Sequence, residues 1–224
     1  MWKGLLFAAF VKIEYIWISN SHSMTKEQEI LAVAEEEFFR NGYLSTSMVT
    51  VARRAGVTHA MVNYYFRSKE QLFLKILDTH TYSFIENLRP IMREDGDFVD
   101  TLVAAADVVF DTLNADRMFP FLIQDIAKSA PELLERYRQP VERFASEMLS
   151  RHSARLSKHI ASGTVARTGM KEMLENMLLL VVSPFLMIPT LENVCHLDAT
   201  EIDGYLSRRK AEMELVLRSR YSAR

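Results

Sequence analysis

The stretch Ala55–Glu70, AGVTHAMVNYYFRSKE, decides how this chain is read. Two short helices that cross steeply need small side chains where their backbones meet. Ala52 and Gly56 supply them, four residues apart. A glycine at the turn takes a positive φ without the penalty a β-carbon would bring. Val51, Val57 and Val62 are spaced to fill the wedge behind. This pattern is the packing signature of a helix-turn-helix, though an ordinary corner between two core helices shares it.

Charge separates the two readings. From Arg40 to Lys75 the basic residues are Arg40, Arg53, Arg54, Arg67, Lys69 and Lys75, and the only acid is Glu70. The window therefore carries +5 in a chain whose formal charge is -2. Acids gather upstream, at Glu27, Glu29, Glu35, Glu36 and Glu37, and the last three read as a solvated, outward face. Such segregation is the footprint expected of phosphate binding. The outer side of the helix after the turn would show Thr58, His59, Ala60, Asn63 and Tyr64. These short polar groups, an amide and a phenol can meet base edges or phosphates. A buried corner has no use for them.

Outward from this corner the pattern is helical. Thr25 with Gln28 forms a capping box for a first helix that ends at Asn41-Gly42. Ser45, Thr46 and Ser47 offer caps for a second helix, Thr58 caps a third, and Ser68 caps a long fourth that runs toward Pro90. Five more helices are expected, over about 98–114, 120–129, 131–160, 168–189 and 200–221. Pro140 should kink or split the third of these, and Pro184 should bend the fourth. Seven Gly and six Pro in 224 residues, with 49% hydrophobic and 25% charged side chains, fit a folded helical protein. The fold class is all-α: a three-helix helix-turn-helix domain at 24–70 and a larger helical effector-binding and dimerisation domain at 71–224.

Residues Ile30 to Leu72 resemble the N-terminal DNA-binding domain of the TetR/AcrR family of bacterial transcriptional regulators. The matching pieces are ILAVAEEEFFRNGYLSTSM, VARRAGVTHAMVNYYF and SKEQL. The departure is at Asn63, where the family most often carries a tyrosine that grips the phosphate backbone; Tyr64 stands beside it. The resemblance implies that Thr46 holds a phosphate at the start of the second helix. It implies that Thr58, His59, Ala60 and Asn63 face the major groove, and that Tyr64 and Lys69 bind phosphates. His59 can donate to DNA or be solvated beside the groove. Of Arg53 and Arg54, at the end of the second helix, at least one is expected to serve structure, since a cation suits that end of the helix dipole.

A helix this short reads few base pairs, so two copies on a symmetric double-stranded operator are expected. Two apolar stripes in the last helices are candidates for the homodimer surface: Met173, Met177, Leu180, Val181 and Pro184, and Tyr205, Leu206, Met213, Leu215 and Val216. Both stripes can equally be internal core. Phe84, Phe110, Phe119, Phe121, Phe144 and Met148 are candidates for an effector pocket, with ordinary core as the other reading. The resemblance implies a small molecule that shifts the fourth helix and lowers operator affinity. A DNA-binding regulator without a ligand, and a helical interaction module with a vestigial corner, remain as alternatives.

Enzyme chemistry finds no support. The chain has no Gly-rich phosphate loop, nucleophile elbow or HExxH motif. His152 and His159, seven apart, read as solvated histidines and not as a metal site, and no cofactor is expected. The single cysteine, Cys195, reads as an inert thiol in a reducing, cytoplasmic protein. Residues 1–23 begin with an apolar run that Lys12 and Glu14 interrupt, too short to span a membrane. An upstream extension with Met24 as the true start, an extra packed helix, and a targeting segment are the open readings there.

Overall fold

A computed structural model describes residues 25–91 and 96–223. The expectations for residues 1–23 and Met24 lie outside the described residues. Ten helices occur among them: α1 (Lys26–Ser45), α2 (Met48–Arg54), α3 (His59–Phe66), α4 (Lys69–Leu88), α5 (Phe98–Ala115), α6 (Phe119–Ser129), α7 (Pro131–Ala161), α8 (Met170–Leu186), α9 (Ile188–Asn193) and α10 (Ala199–Tyr221). No strand occurs among the described residues; one isolated bridge joins Val165 to Ser222.

The chain divides into two compact units. Residues 25–41 with Ser45–Ile76 form the first, and Gly42–Leu44 with the chain from Leu77 onward form the second. The first unit thus takes in two turns of α4, because Leu72, Phe73 and Ile76 are buried in it. Phe73 meets Phe38 of α1 edge to face, with ring centroids 4.9 Å apart. Ile30, Ala34, Val51, Ala52, Val62 and Phe66 complete this small core.

Local signals place the helix starts. Thr25 closes the expected capping box with Gln28, Thr58 accepts from the Met61 N–H, and Ser68 accepts from the Gln71 N–H. α1 breaks at Gly42, whose φ of 76° and ψ of 170° suit a residue without a β-carbon, and the helical geometry then resumes to Ser45.

In the second unit α5 packs against α8 and α10, and Val99, Ala106, Phe110, Met173, Val181, Phe185, Leu206 and Leu217 lie in its core. α7 runs unbroken past Pro140, so no split occurs there. The helix expected over 168–189 is instead two. α8 contains Pro184 and ends at Leu186, and α9 begins at Ile188 with Pro189 in its first turn. Pro189 has no N–H to continue the ladder and its ring opposes the carbonyl four residues back, so the helix restarts there.

Candidate nucleic-acid interface

α3 owes its two-faced character to where its side chains point. Val62 and Phe66 are buried, while Thr58, His59, Ala60 and Tyr64 are exposed and Asn63 is half-buried. Tyr64 is 80% exposed, with its ring 5.3 Å from that of Tyr65. The Asn63 amide nitrogen lies 3.4 Å from His59 Nε2, the i,i+4 neighbour on the same face. Five of the seven residues expected to meet DNA therefore share one outward surface of α3 and its cap.

Thr46 does not belong to that surface. It is buried and caps the C-terminus of α1, and its hydroxyl donates to the Glu37 carbonyl at 3.2 Å. The residue that caps α2 is Ser47, which is exposed and accepts from the Thr50 N–H at 3.1 Å. Sequence offered three adjacent hydroxyls, and only the end point of α1 decides among them.

Lys69 is also partly internal. Its ammonium donates to the Thr46 carbonyl at 2.9 Å, which ties the start of α4 to the α1–α2 link. Burial holds its pKa below the ordinary lysine value.

The acidic run is not wholly solvated. Glu37 is buried, and Arg54 donates to it and, at 2.8 Å, to Glu36. The hydrogen bond that Arg54 donates to Glu37 holds its guanidinium above its ordinary pKa. Arg40 meets Glu36 at 2.8 Å. Two of the cations in the basic window are thus matched by the upstream acids. Arg53 and Arg67 stay exposed. The arginine assigned to structure is therefore Arg54.

In the second unit most of the two apolar stripes turns inward, while Leu215 and Val216 of the second stripe are exposed. Met173, Met177, Val181, Pro184, Leu206 and Met213 are buried within the single chain, and Leu180 and Tyr205 are half-buried. The six buried side chains are core, which corrects their assignment to a dimer surface. Leu178, Leu179, Leu215 and Val216 are the large apolar side chains left exposed on the same two helices. Phe110 is buried against Phe185, with centroids 4.9 Å apart, and is a core residue. Phe84, Phe119 and Phe144 pack half-buried on that core, and Phe121 and Met148 are half-buried. His152 is buried, which corrects its reading as a solvated histidine; His159 is half-buried, with Nδ1 2.9 Å from Thr164 Oγ1. Cys195 is free and exposed just beyond α9.

A packed pair of short helices joined by a tight turn, with a polar outward face on the second and set in a three-helix head, defines a helix-turn-helix DNA-binding domain. Residues 30–76 match the family model of the bacterial regulatory proteins of the tetR family. The head of this chain is therefore a DNA-binding domain of the tetR type. It is similar to the HTH-type transcriptional activator FasR of Mycolicibacterium smegmatis, 27% identical over 145 residues, which span 62% of this chain and 66% of FasR. It is similar also to the fatty acid metabolism regulator protein of Bacillus subtilis, 24% identical over 141 residues, spanning 62% of this chain and 71% of that protein. Among solved structures, the transcriptional regulator FadR from Bacillus subtilis in complex with stearoyl-CoA shares the fold. It has a TM-score of 0.61 and 19% identity, covering 84% of this chain and 96% of that one.

Proposed function

We propose that the protein is a transcriptional repressor that binds a palindromic operator as a homodimer and is released by a small-molecule effector. The observation that carries the DNA-reading part is the outward face of α3, where Thr58, His59, Ala60, Asn63 and the largely exposed Tyr64 stand together on a rigid head. Asn63 presents an amide that pairs with an adenine edge, and Tyr64 and Lys69 serve phosphates.

Dimerisation follows from the reach of α3 and is supported by the apolar surface on α8 and α10. Leu178, Leu179, Leu215 and Val216 are exposed there in the single chain. Leu179 and Leu215, each 68% exposed, would be removed from water by a second copy.

The effector we propose is a long-chain acyl thioester. One relative is named for fatty acid metabolism, and a solved structure of the same fold holds stearoyl-CoA. Phe84, Phe119, Phe121, Phe144 and Met148 are adaptable apolar side chains able to part around an acyl chain. α4 runs from Lys69 of the head to Leu88 of the body, so an effector that favours a different α4 position would act on DNA binding by its differential affinity for the two states. Phe110, closed in the core on Phe185, favours the second reading, a regulator whose body is filled by packing and takes no ligand.

The test is selection of bound sequences from random duplex DNA, followed by titration of stearoyl-CoA into the selected complex. An enriched palindrome released by the thioester is expected. Enrichment without release removes the effector claim, and no enrichment removes the operator claim. Reporter expression with and without the gene fixes whether binding represses.

A further inference from the structure

Among the described residues, Glu37 is the one buried carboxylate, 4% exposed. Both its oxygens are occupied. Oε1 accepts from Arg54 Nη1, and Oε2 accepts from the Asn41 amide at 3.2 Å. Its backbone carbonyl takes the Thr46 hydroxyl. The second Arg54 nitrogen donates to Glu36 Oε2 at 2.8 Å. A guanidinium on α2 thus spans two successive acids on α1.

Stability alone does not call for this arrangement. Glu37 is buried while Arg54 keeps part of its side chain in water, and an ion pair that takes a carboxylate out of water is often no better than apolar side chains of the same volume, because desolvation offsets the attraction. What it adds is angle. A planar guanidinium binds carboxylates through a rigid set of donors, whereas packed methyl groups tolerate rotation. Rotation is a live problem for α2. The helix has seven residues and buries only Val51 and Ala52. Two small side chains on one side leave a short helix free to roll. α3 packs on α2, so a roll of α2 moves the reading surface with it. A reading constellation needs to be held to within about 0.5 Å by locked neighbours.

We propose that Glu37 and Arg54 are positioning residues of the reading head: their ion pair fixes the roll of α2, and through it the sequence selectivity of α3. This rests on the DNA-reading function proposed above.

The measurement is the ratio of affinities for a selected duplex and a random duplex at one salt concentration, with thermal melting alongside. A lost phosphate contact lowers both affinities together and leaves the ratio alone, because phosphates carry no sequence information. A mis-set α3 lowers the ratio. Two variants are compared with the unaltered chain. Arg54→Lys keeps the charge but loses the fork. The double variant Glu37→Leu with Arg54→Met replaces the pair by apolar volume. The double variant is expected to melt cooperatively at no lower temperature, with the ratio reduced by at least about five-fold. Arg54→Lys is expected to lower the ratio while keeping its affinity for random duplex.

An unchanged ratio in either folded variant overturns the inference. So does a double variant without a cooperative melt, which would make the pair a stability element. If the unaltered chain itself prefers no sequence, the DNA-reading function falls and the inference with it. A selective chain with equally selective variants removes the inference alone.

Discussion

Replacing Lys69 by Met separates two roles that sequence merges into one. The Lys69 ammonium donates to the carbonyl of Thr46, a residue only 2% exposed, at 2.9 Å. Methionine keeps most of the apolar stem and removes the donor. A hydrogen bond to a charged group contributes about 1.5–3 kcal/mol net. Part of that is returned, because burial already disfavours the Lys69 cation. The expected loss is therefore about 1–2 kcal/mol, and for a chain of this size about 2–8 °C in Tm. Urea titration and thermal melting read it. Binding to duplex DNA across a salt series reads the second role. If the ammonium also neutralises a phosphate, the slope of log K against log salt should fall by about 0.9 per protomer. Unchanged stability would refute the clamp between α4 and the α1–α2 link. An unchanged slope would refute the phosphate contact. The two results are independent, so either role can fail alone.

Tyr64→Ala should leave the free energy of unfolding within about 0.5 kcal/mol of the original, since the side chain is 80% exposed, yet weaken binding to all duplexes alike; a shift in base preference would count against a phosphate contact. Asn63→Ala should change preference at one base position by about 1–3 kcal/mol in a selection experiment, and an unaltered preference removes Asn63 from the reading set. Leu179→Asp combined with Leu215→Asp should convert a dimer to a monomer in sedimentation while the chain stays folded; retention of the dimer would place its surface elsewhere. Asp107 is partly desolvated, which raises its pKa despite Lys210 at 4.0 Å. An acid with a raised folded pKa loses stability as pH climbs from the ordinary carboxylate value through the folded one. Asp107→Asn should therefore raise Tm at neutral pH and lose that advantage in acid; an equal gain at both would show that the charge is not the cause.

Much of the fold is legible in the sequence because its signals are local. Thr25 with Gln28, Thr58 and Ser68 cap helices through bonds that span three residues, so their spacing alone announces them. Ala52 and Gly56 announce the corner because only small side chains fit where two short helices cross. The outward set on α3 follows from helical spacing once the corner is fixed. Tertiary structure decided what neighbours compete for. Met177 and Leu178 are adjacent and both apolar, and about 100° of helical turn separates them, yet Met177 is buried and Leu178 exposed. Ser45, Thr46 and Ser47 are equal as caps until the end of α1 sends Thr46 inward and leaves Ser47 at the helix start. Glu37 looks like its solvated neighbours until Arg54, seventeen residues on, closes over it. Composition and spacing along the chain record which helices form; the roll of each helix about its axis depends on partners distant in sequence, and that roll sorts reading surface from core.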